Sequence, residues 1–304
     1  MATKIVYRKN TFDSPADILA FAVEALRIGD VALATLIEIR GGAARTLGSH
    51  VAIAADGGFS GYVSGGCVEA AVAAEALQAI AEGRDRIVAF GEGSPFFDIK
   101  LPCGGGITVA VHVLRSNSAL HHVLKKLSLR SSSALVYSPQ SQTLVQSLTV
   151  PPSAEWNGDG FVSVYRPRTR LVISGQAGEV EAIHRLAVAS GYAVSIIDAL
   201  TQRFDRRFLD IDPFTAVVIL HHDLEVEDQV LQAAMTSSAF YIGALGSART
   251  HHSRVARLRA AGFTPDQIDR IKAPIGMFGP ARDSNTLALS VLADIAATRL
   301  MAFA

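Results

Sequence analysis

The chain has 304 residues, 49% of them hydrophobic and 18% charged, which is enough to bury a sizeable core and suggests two domains. Lys plus Arg and Asp plus Glu each total 28, so no global basic field exists, and neither nucleic acid nor an anionic membrane is expected as a partner. The start, Met1-Ala-Thr-Lys-Ile-Val-Tyr-Arg, is too polar for a secretory segment, which points to the cytoplasm, and the two cysteines, Cys67 and Cys103, are too few for a disulfide framework.

Asp13-Ser14-Pro15 caps a helix whose apolar positions Ile18, Leu19, Ala22 and Leu26 recur at helical spacing until Gly29. Val31 to Ile39 reads as a buried strand running into Arg40-Gly41-Gly42-Ala43-Ala44-Arg45. Val51 to Ala55, Asp56-Gly57-Gly58 and Phe59 to Val63 have the chemistry of a hairpin, and Ser64-Gly65-Gly66-Cys67-Val68-Glu69 leads from it into an Ala-rich helix that Gly83 ends. Arg86 to Phe90 is a short strand, and Leu101-Pro102-Cys103-Gly104-Gly105-Gly106 is a second Cys-Gly loop before the strand Ile107 to Leu114. A helix over 116–130 and a strand over 134–137 follow.

Val150 to Gly160, dense in Pro, Gly and polar residues, is the clearest break. It predicts an N-terminal mixed α/β domain over 1–150 and a linker or edge hairpin over 151–168. From Arg170 short apolar strands alternate with helices, the pattern of a parallel sheet covered on both faces, so 169–304 reads as a Rossmann-like doubly wound domain. Within it Thr264-Pro265-Asp266-Gln267 is a capping box, and a final helix starts at Ser284.

Consecutive glycines let backbone N–H groups converge, and a helix N-terminus adds partial positive charge, so the Cys67 loop favours an anion and can activate a thiol. A free cysteine at a helix start is also commonly inert. The second thiol strengthens the functional reading, because Cys103 also abuts glycines: the N–H groups at Gly65, Gly66, Gly104 and Gly105 suit an anionic guest, and the two thiols suit a sulfur-liganded metal or a redox exchange. Arg40 and Arg45 flank a Gly pair and can clamp phosphate, whereas Glu69 reads as an acid that only complements the helix dipole.

In the second domain Ser174-Gly175-Gln176-Ala177-Gly178-Glu179 sits between strand and helix, and Asp198 ends the next strand where a ribose-binding acid would stand. Ala177 replaces the second glycine of the dinucleotide fingerprint, so a bare structural turn and an NAD(P) site both remain open. His222 follows a strand end, where ligands of doubly wound sheets bind. The His pairs at 121, 221 and 251 are not metal sites by spacing.

These motifs in this order resemble the XdhC/CoxI family, accessory proteins that bind the molybdenum cofactor and deliver it to molybdoenzymes of the xanthine dehydrogenase type. The likeness covers nearly the whole chain: Gly61-Tyr-Val-Ser-Gly-Gly-Cys67-Val-Glu69, Leu101-Pro-Cys103-Gly-Gly, Tyr241-Ile-Gly-Ala-Leu-Gly246 and Pro274-Ile-Gly276 carry it. Gly42-Ala43-Ala44-Arg45 departs from the family's Ser-Ser-Pro-Arg, and Met277-Phe278-Gly279-Pro280 from its Leu-Asp-Ile-Gly. The resemblance implies molybdopterin as cargo, with Cys67 near the metal and an insertion chaperone rather than a turnover enzyme. It also implies a molybdoenzyme partner, a cofactor sulfurase as a second partner, and a homodimer. The alternatives are an NAD(P)-dependent oxidoreductase using Gly175 and Asp198, and a thiol-redox or sulfur-transfer protein using both cysteines.

Overall fold

The computed structural model describes residues 5–11, 13–92, 94, 104–197 and 211–303. The chain divides into two compact units, Met1–Arg166 and Pro167–Ala304. Cys103 and Asp198 lie outside the described residues.

The first unit is built on six strands: β1 (Tyr7–Arg8), β2 (Val31–Arg40), β3 (His50–Ala54), β4 (Gly58–Gly61), β5 (Arg86–Gly91) and β6 (Gly106–Val113). They form one sheet in the order β1-β4-β3-β2-β6-β5, antiparallel except where β1 joins β4. Seven of the ten β2 residues are buried, because both faces of this central strand are covered. On one face lies α2 (Glu69–Glu82), whose Val72, Ala73, Ala76 and Ala79 recur at helical spacing against Ala34, Leu36 and Val109. Small alanines let this helix approach the sheet closely, and Gly83 ends it at φ 63°, the left-handed cap expected of it.

On the opposite face sit α1 (Pro15–Ala25) and α3 (Ser118–Ser128), packed on Val31, Leu33 and Ala52. Ser14 is the N-cap of α1 but makes no side-chain cap bond, and Asp13 is engaged elsewhere, with Arg45. A second, antiparallel sheet of β7 (Ser133–Ser138), β8 (Thr143–Gln146), β9 (Glu155–Asn157) and β10 (Gly160–Tyr165) has the order β8-β7-β10-β9. The stretch 151–168, expected as a linker or edge hairpin, thus contains the edge strand β9 and the largely buried β10. Phe161 and Tyr137 pack on Ile37 and Ala110 of the first sheet, and Tyr165 stacks on His50 at 5.5 Å.

The second unit is a parallel sheet of β11 (Arg170–Gly175), β12 (Ala193–Ile197), β13 (Thr215–Leu220), β14 (Tyr241–Ala244) and β15 (Ile271–Lys272), in the order β12-β11-β13-β14-β15. Helices α4 (Ala177–Ala189) and α8 (Ser284–Ala302) cover one face around Leu171, Ile173 and Val218, while α5 (Leu224–Met235), α6 (Ala248–Ala260) and the short α7 (Pro265–Ile268) cover the other around Val217 and Ile219. This is the doubly wound arrangement the alternating pattern predicts. The strand order reverses between β11 and β13, which places the topological switch point at Gly175 and Leu220. Both bonds of the capping box at Thr264 and Gln267 are present. Among the described residues no helix is long and apolar enough to cross a membrane.

Candidate functional site

In the first unit the register brings three glycine-rich segments to one edge of the sheet. Arg40 lies opposite Gly106 and Val51 opposite Gly61, so the end of β2, the start of β6 and the end of β4 open on the same side. The 40–45 loop is the meeting point. A methyl group on Gly105 would lie 2.5 Å from the Gly42 carbonyl oxygen, so only glycine permits this approach, and a methyl group on Gly65 would touch the Ala44 Cβ at 3.4 Å. The 40–45 loop therefore abuts both Gly65 and Gly105. Gly104 borders open space at the entrance of the same segment.

The Cys67 loop is organised from inside. Gly65 and Gly66 adopt φ of 85° and 120°, a left-handed region that L side chains avoid. The turn they make lets Glu69 fold back under the loop, where its carboxylate accepts from the Val63 amide at 2.9 Å, the Ser64 amide at 2.8 Å and the Ser64 hydroxyl at 2.9 Å. The Ser64 oxygen in turn accepts from the amides of Cys67 and Val68 at 3.1 and 3.0 Å. Four of the loop's amides are thus satisfied internally. Glu69, read from sequence as a dipole-complementing acid, is 1% exposed and anchors the loop. Burial pushes its pKa up, but the hydrogen bonds from Ser64 and Val63 outweigh that and hold it below the usual carboxylate value. Cys67 is a free, exposed thiol at the summit of this turn.

Two arginines flank the loop. Arg45 pairs with Asp13 at 2.5 Å, and its guanidinium lies 5.0 Å from the centre of the Tyr62 ring. Arg8, which sequence reasoning does not single out, stands 4.2 Å from the same ring and donates to the Gly61 carbonyl at 3.1 Å. Its signal is weak because β1 is two residues long and reaches the site through pairing with β4. Arg40, the other expected clamp, is bound to Glu38 at 2.6 Å and Thr108 at 2.7 Å and serves the sheet edge. Among the described residues no three His, Cys, Asp or Glu side chains converge to hold a metal, and Cys67 stands there as an exposed soft thiol.

In the second unit a cleft of about 910 Å³ opens at the carboxyl ends of the strands. Its walls include Glu179 from the first turn of α4, His222 after β13, Gly246 and Ser247 after β14, and the 274–287 segment. His222 is exposed, with Nε2 3.9 Å from Glu179 Oε1, whereas His221 is buried and shares a hydrogen bond with the Ser174 hydroxyl at 2.8 Å. Gly175 is a packing residue: a methyl group there would lie 2.5 Å from the Leu220 Cβ on the neighbouring strand. Arg254 and Glu227, 1% and 0% exposed, form a bidentate pair behind the cleft, and Arg254 also donates to the Leu245 carbonyl at 2.7 Å. Cys67 and His222 belong to different units.

Comparison with known proteins agrees with this division. Residues 27–91 match the family model described as the XdhC and CoxI family, and residues 171–295 match the XdhC Rossmann domain. The chain is 50% identical over 289 residues to the molybdenum cofactor insertion chaperone PaoD of Escherichia coli (strain K12), covering 95% of this chain and 90% of that protein. It is 22% identical over 320 residues to a probable xanthine dehydrogenase subunit of Bacillus subtilis (strain 168), covering 89% and 93%. The crystal structure of a protein described as a xanthine dehydrogenase from Bacillus halodurans superposes with a TM-score of 0.74 at 21% identity, over 95% of this chain and 96% of that one, which shows a shared fold. With both units matched and half the residues shared with a relative along nearly its whole length, the chain belongs to the XdhC and CoxI family.

Proposed function

We propose that this protein is a cytoplasmic insertion chaperone that carries the molybdenum cofactor to a molybdoenzyme of the xanthine dehydrogenase type, with the Cys67 loop as its principal contact. The observation that carries the reading is the exposed Cys67 thiol, held on a glycine turn that buried Glu69 fixes from below. Identity of 50% to a molybdenum cofactor insertion chaperone supports the cargo. A thiol suits molybdenum as a soft ligand. Arg8 and Arg45 supply positive charge for the phosphate of the cargo, and each lies against Tyr62, which limits how far it swings. Cys103, next to Gly104 in the sequence, is the second thiol available to the cargo.

Purification from cells that make the cofactor, followed by assay of bound molybdenum and pterin, tests this. The wild-type chain retains both and Cys67→Ala loses most of them; no cargo on either would remove the proposal.

A further inference from the structure

Arg45 meets a carboxylate where the cargo would bring a phosphate. Its Nη1 donates to Asp13 Oδ1 at 2.5 Å, and among the described residues no other acceptor is bonded to its guanidinium. The remaining N–H donors of the fork stay open for an oxyanion. Arg8, against the same Tyr62 ring, has a neutral acceptor, the Gly61 carbonyl. Glu69, the acid of the Cys67 loop itself, is buried and already accepts from Val63 and Ser64. Asp13 is therefore the acid set against this cationic edge.

The contact can give way on one side only. The Asp13 side chain is 62% exposed against 28% for Arg45, so the acid can swing into water while the arginine, 5.0 Å from the centre of the Tyr62 ring, keeps its place. An exposed pair of this kind is weak, because both groups are well hydrated when apart. Asp13 makes no other hydrogen bond among the described residues. It takes no part in capping α1 either: Ser14 is the N-cap, and the helix begins without a side-chain cap bond. A carboxylate beside a helix N-terminus ordinarily serves the amides there. This one is turned instead to a partner 32 residues away.

We propose that Asp13 is an internal competitor for the phosphate of the cargo: it occupies Arg45 in the empty protein, is displaced when the phosphate arrives, and re-forms the pair as the cargo leaves. This rests on the carrier reading and adds to it the residue that sets how tightly the phosphate end is held. A phosphate monoester, with its greater charge and three acceptor oxygens, replaces a single carboxylate on the arginine fork. Binding is weakened by the fraction of molecules in which Asp13 already holds Arg45, since those molecules must open first.

The test is a double-mutant cycle on the full chain with inorganic phosphate as the probe, followed by the NMR shifts of the Cys67 loop amides. Asp13→Asn, a change at an exposed position that leaves the core untouched, binds phosphate about two- to fivefold tighter than the wild type. In an Arg45→Gln background the same change gives little or no gain, because there is no pair to open. Molybdenum supplies the second readout: Asp13→Asn loaded in cofactor-producing cells loses it about two- to fivefold more slowly on dilution. A merely structural defect would shorten retention, so the sign separates the two roles. No phosphate binding by Asp13→Asn, wild-type affinity in it, an equal gain in both backgrounds, or unchanged or faster loss of molybdenum would each overturn the assignment. If the wild type carries no molybdenum, the carrier reading fails while the phosphate cycle still decides the role of Asp13.

Discussion

Glu69 holds Ser64 twice, accepting from its amide at 2.8 Å and from its hydroxyl at 2.9 Å across five residues of chain. This contact turns a glycine-rich sequence into one fixed turn, because Ser64 then has its oxygen aimed at the amides of Cys67 and Val68. Glu69→Ala leaves the Val63 and Ser64 amides buried and unpaired, a loss of about 2–4 kcal/mol in stability, measured by urea unfolding. Glu69→Gln keeps one acceptor and loses less. Cargo retention falls in both variants.

The same carboxylate contributes to pH dependence. Its folded pKa lies below its ordinary value of 4.5, so its contribution is fully present above that value and is lost as pH falls through the folded pKa. Unfolding midpoints below pH 4.5 fall less steeply for Glu69→Gln than for the wild type. Parallel slopes would show that the hydrogen bonds to Glu69 do not favour its ionised form.

His50 acts in the opposite direction along the pH axis from a salt-bridged histidine. It is 3% exposed, shares hydrogen bonds with Thr35 at 3.0 Å and Tyr165 at 2.7 Å, and burial lowers its pKa from 6.5 to about 4. The unfolded chain therefore takes up a proton first, and stability drops as pH falls from 6.5 toward 4, by roughly 3 kcal/mol if the full shift is realised. His50→Gln is less stable at about pH 8 and has a flatter profile in that window, which thermal unfolding across pH reads directly.

Gly175 and Gly178 separate structural from ligand-binding roles in the turn after β11. Gly175→Ala drives a methyl group to 2.5 Å from Leu220 Cβ and destabilises by about 1–3 kcal/mol, whereas Gly178 has nothing within 4 Å and gains up to about 1 kcal/mol as alanine inside the helix. Denaturant midpoints of the two variants move in opposite directions.

The buried pair of Arg254 and Glu227 couples α5, α6 and the Leu245 turn. Removing one partner, as in Glu227→Ala, strands a buried charge and costs about 3–5 kcal/mol; replacing both with apolar residues of similar volume costs far less. A double-mutant cycle in urea checks this.

Much of the architecture is legible where a local pattern has a local cause. The capping box at Thr264, the left-handed cap at Gly83, the hairpin of β3 and β4 and the alternation from Arg170 onward all depend on residues a few positions apart. The Cys67 loop is legible as a site for the same reason, since its glycines and thiol are contiguous. Glu69's anchoring role is not, because an acid in a first helical turn has an adequate explanation until the chain is seen to fold back over it. Arg8 escapes sequence reasoning because its place beside Tyr62 depends on the pairing of β1 with the distant β4. The second sheet is only partly readable, since its strands are short and their contacts, such as Tyr165 with His50, join positions 115 residues apart.

The most direct test of the carrier account is the molybdenum and pterin content of the wild type and Cys67→Ala, purified side by side from cofactor-producing cells. Cys67 is exposed, so the variant should unfold within about 0.5 kcal/mol of the wild type. The account predicts cargo on the wild type and little on the variant at equal stability. Equal cargo on both would contradict it.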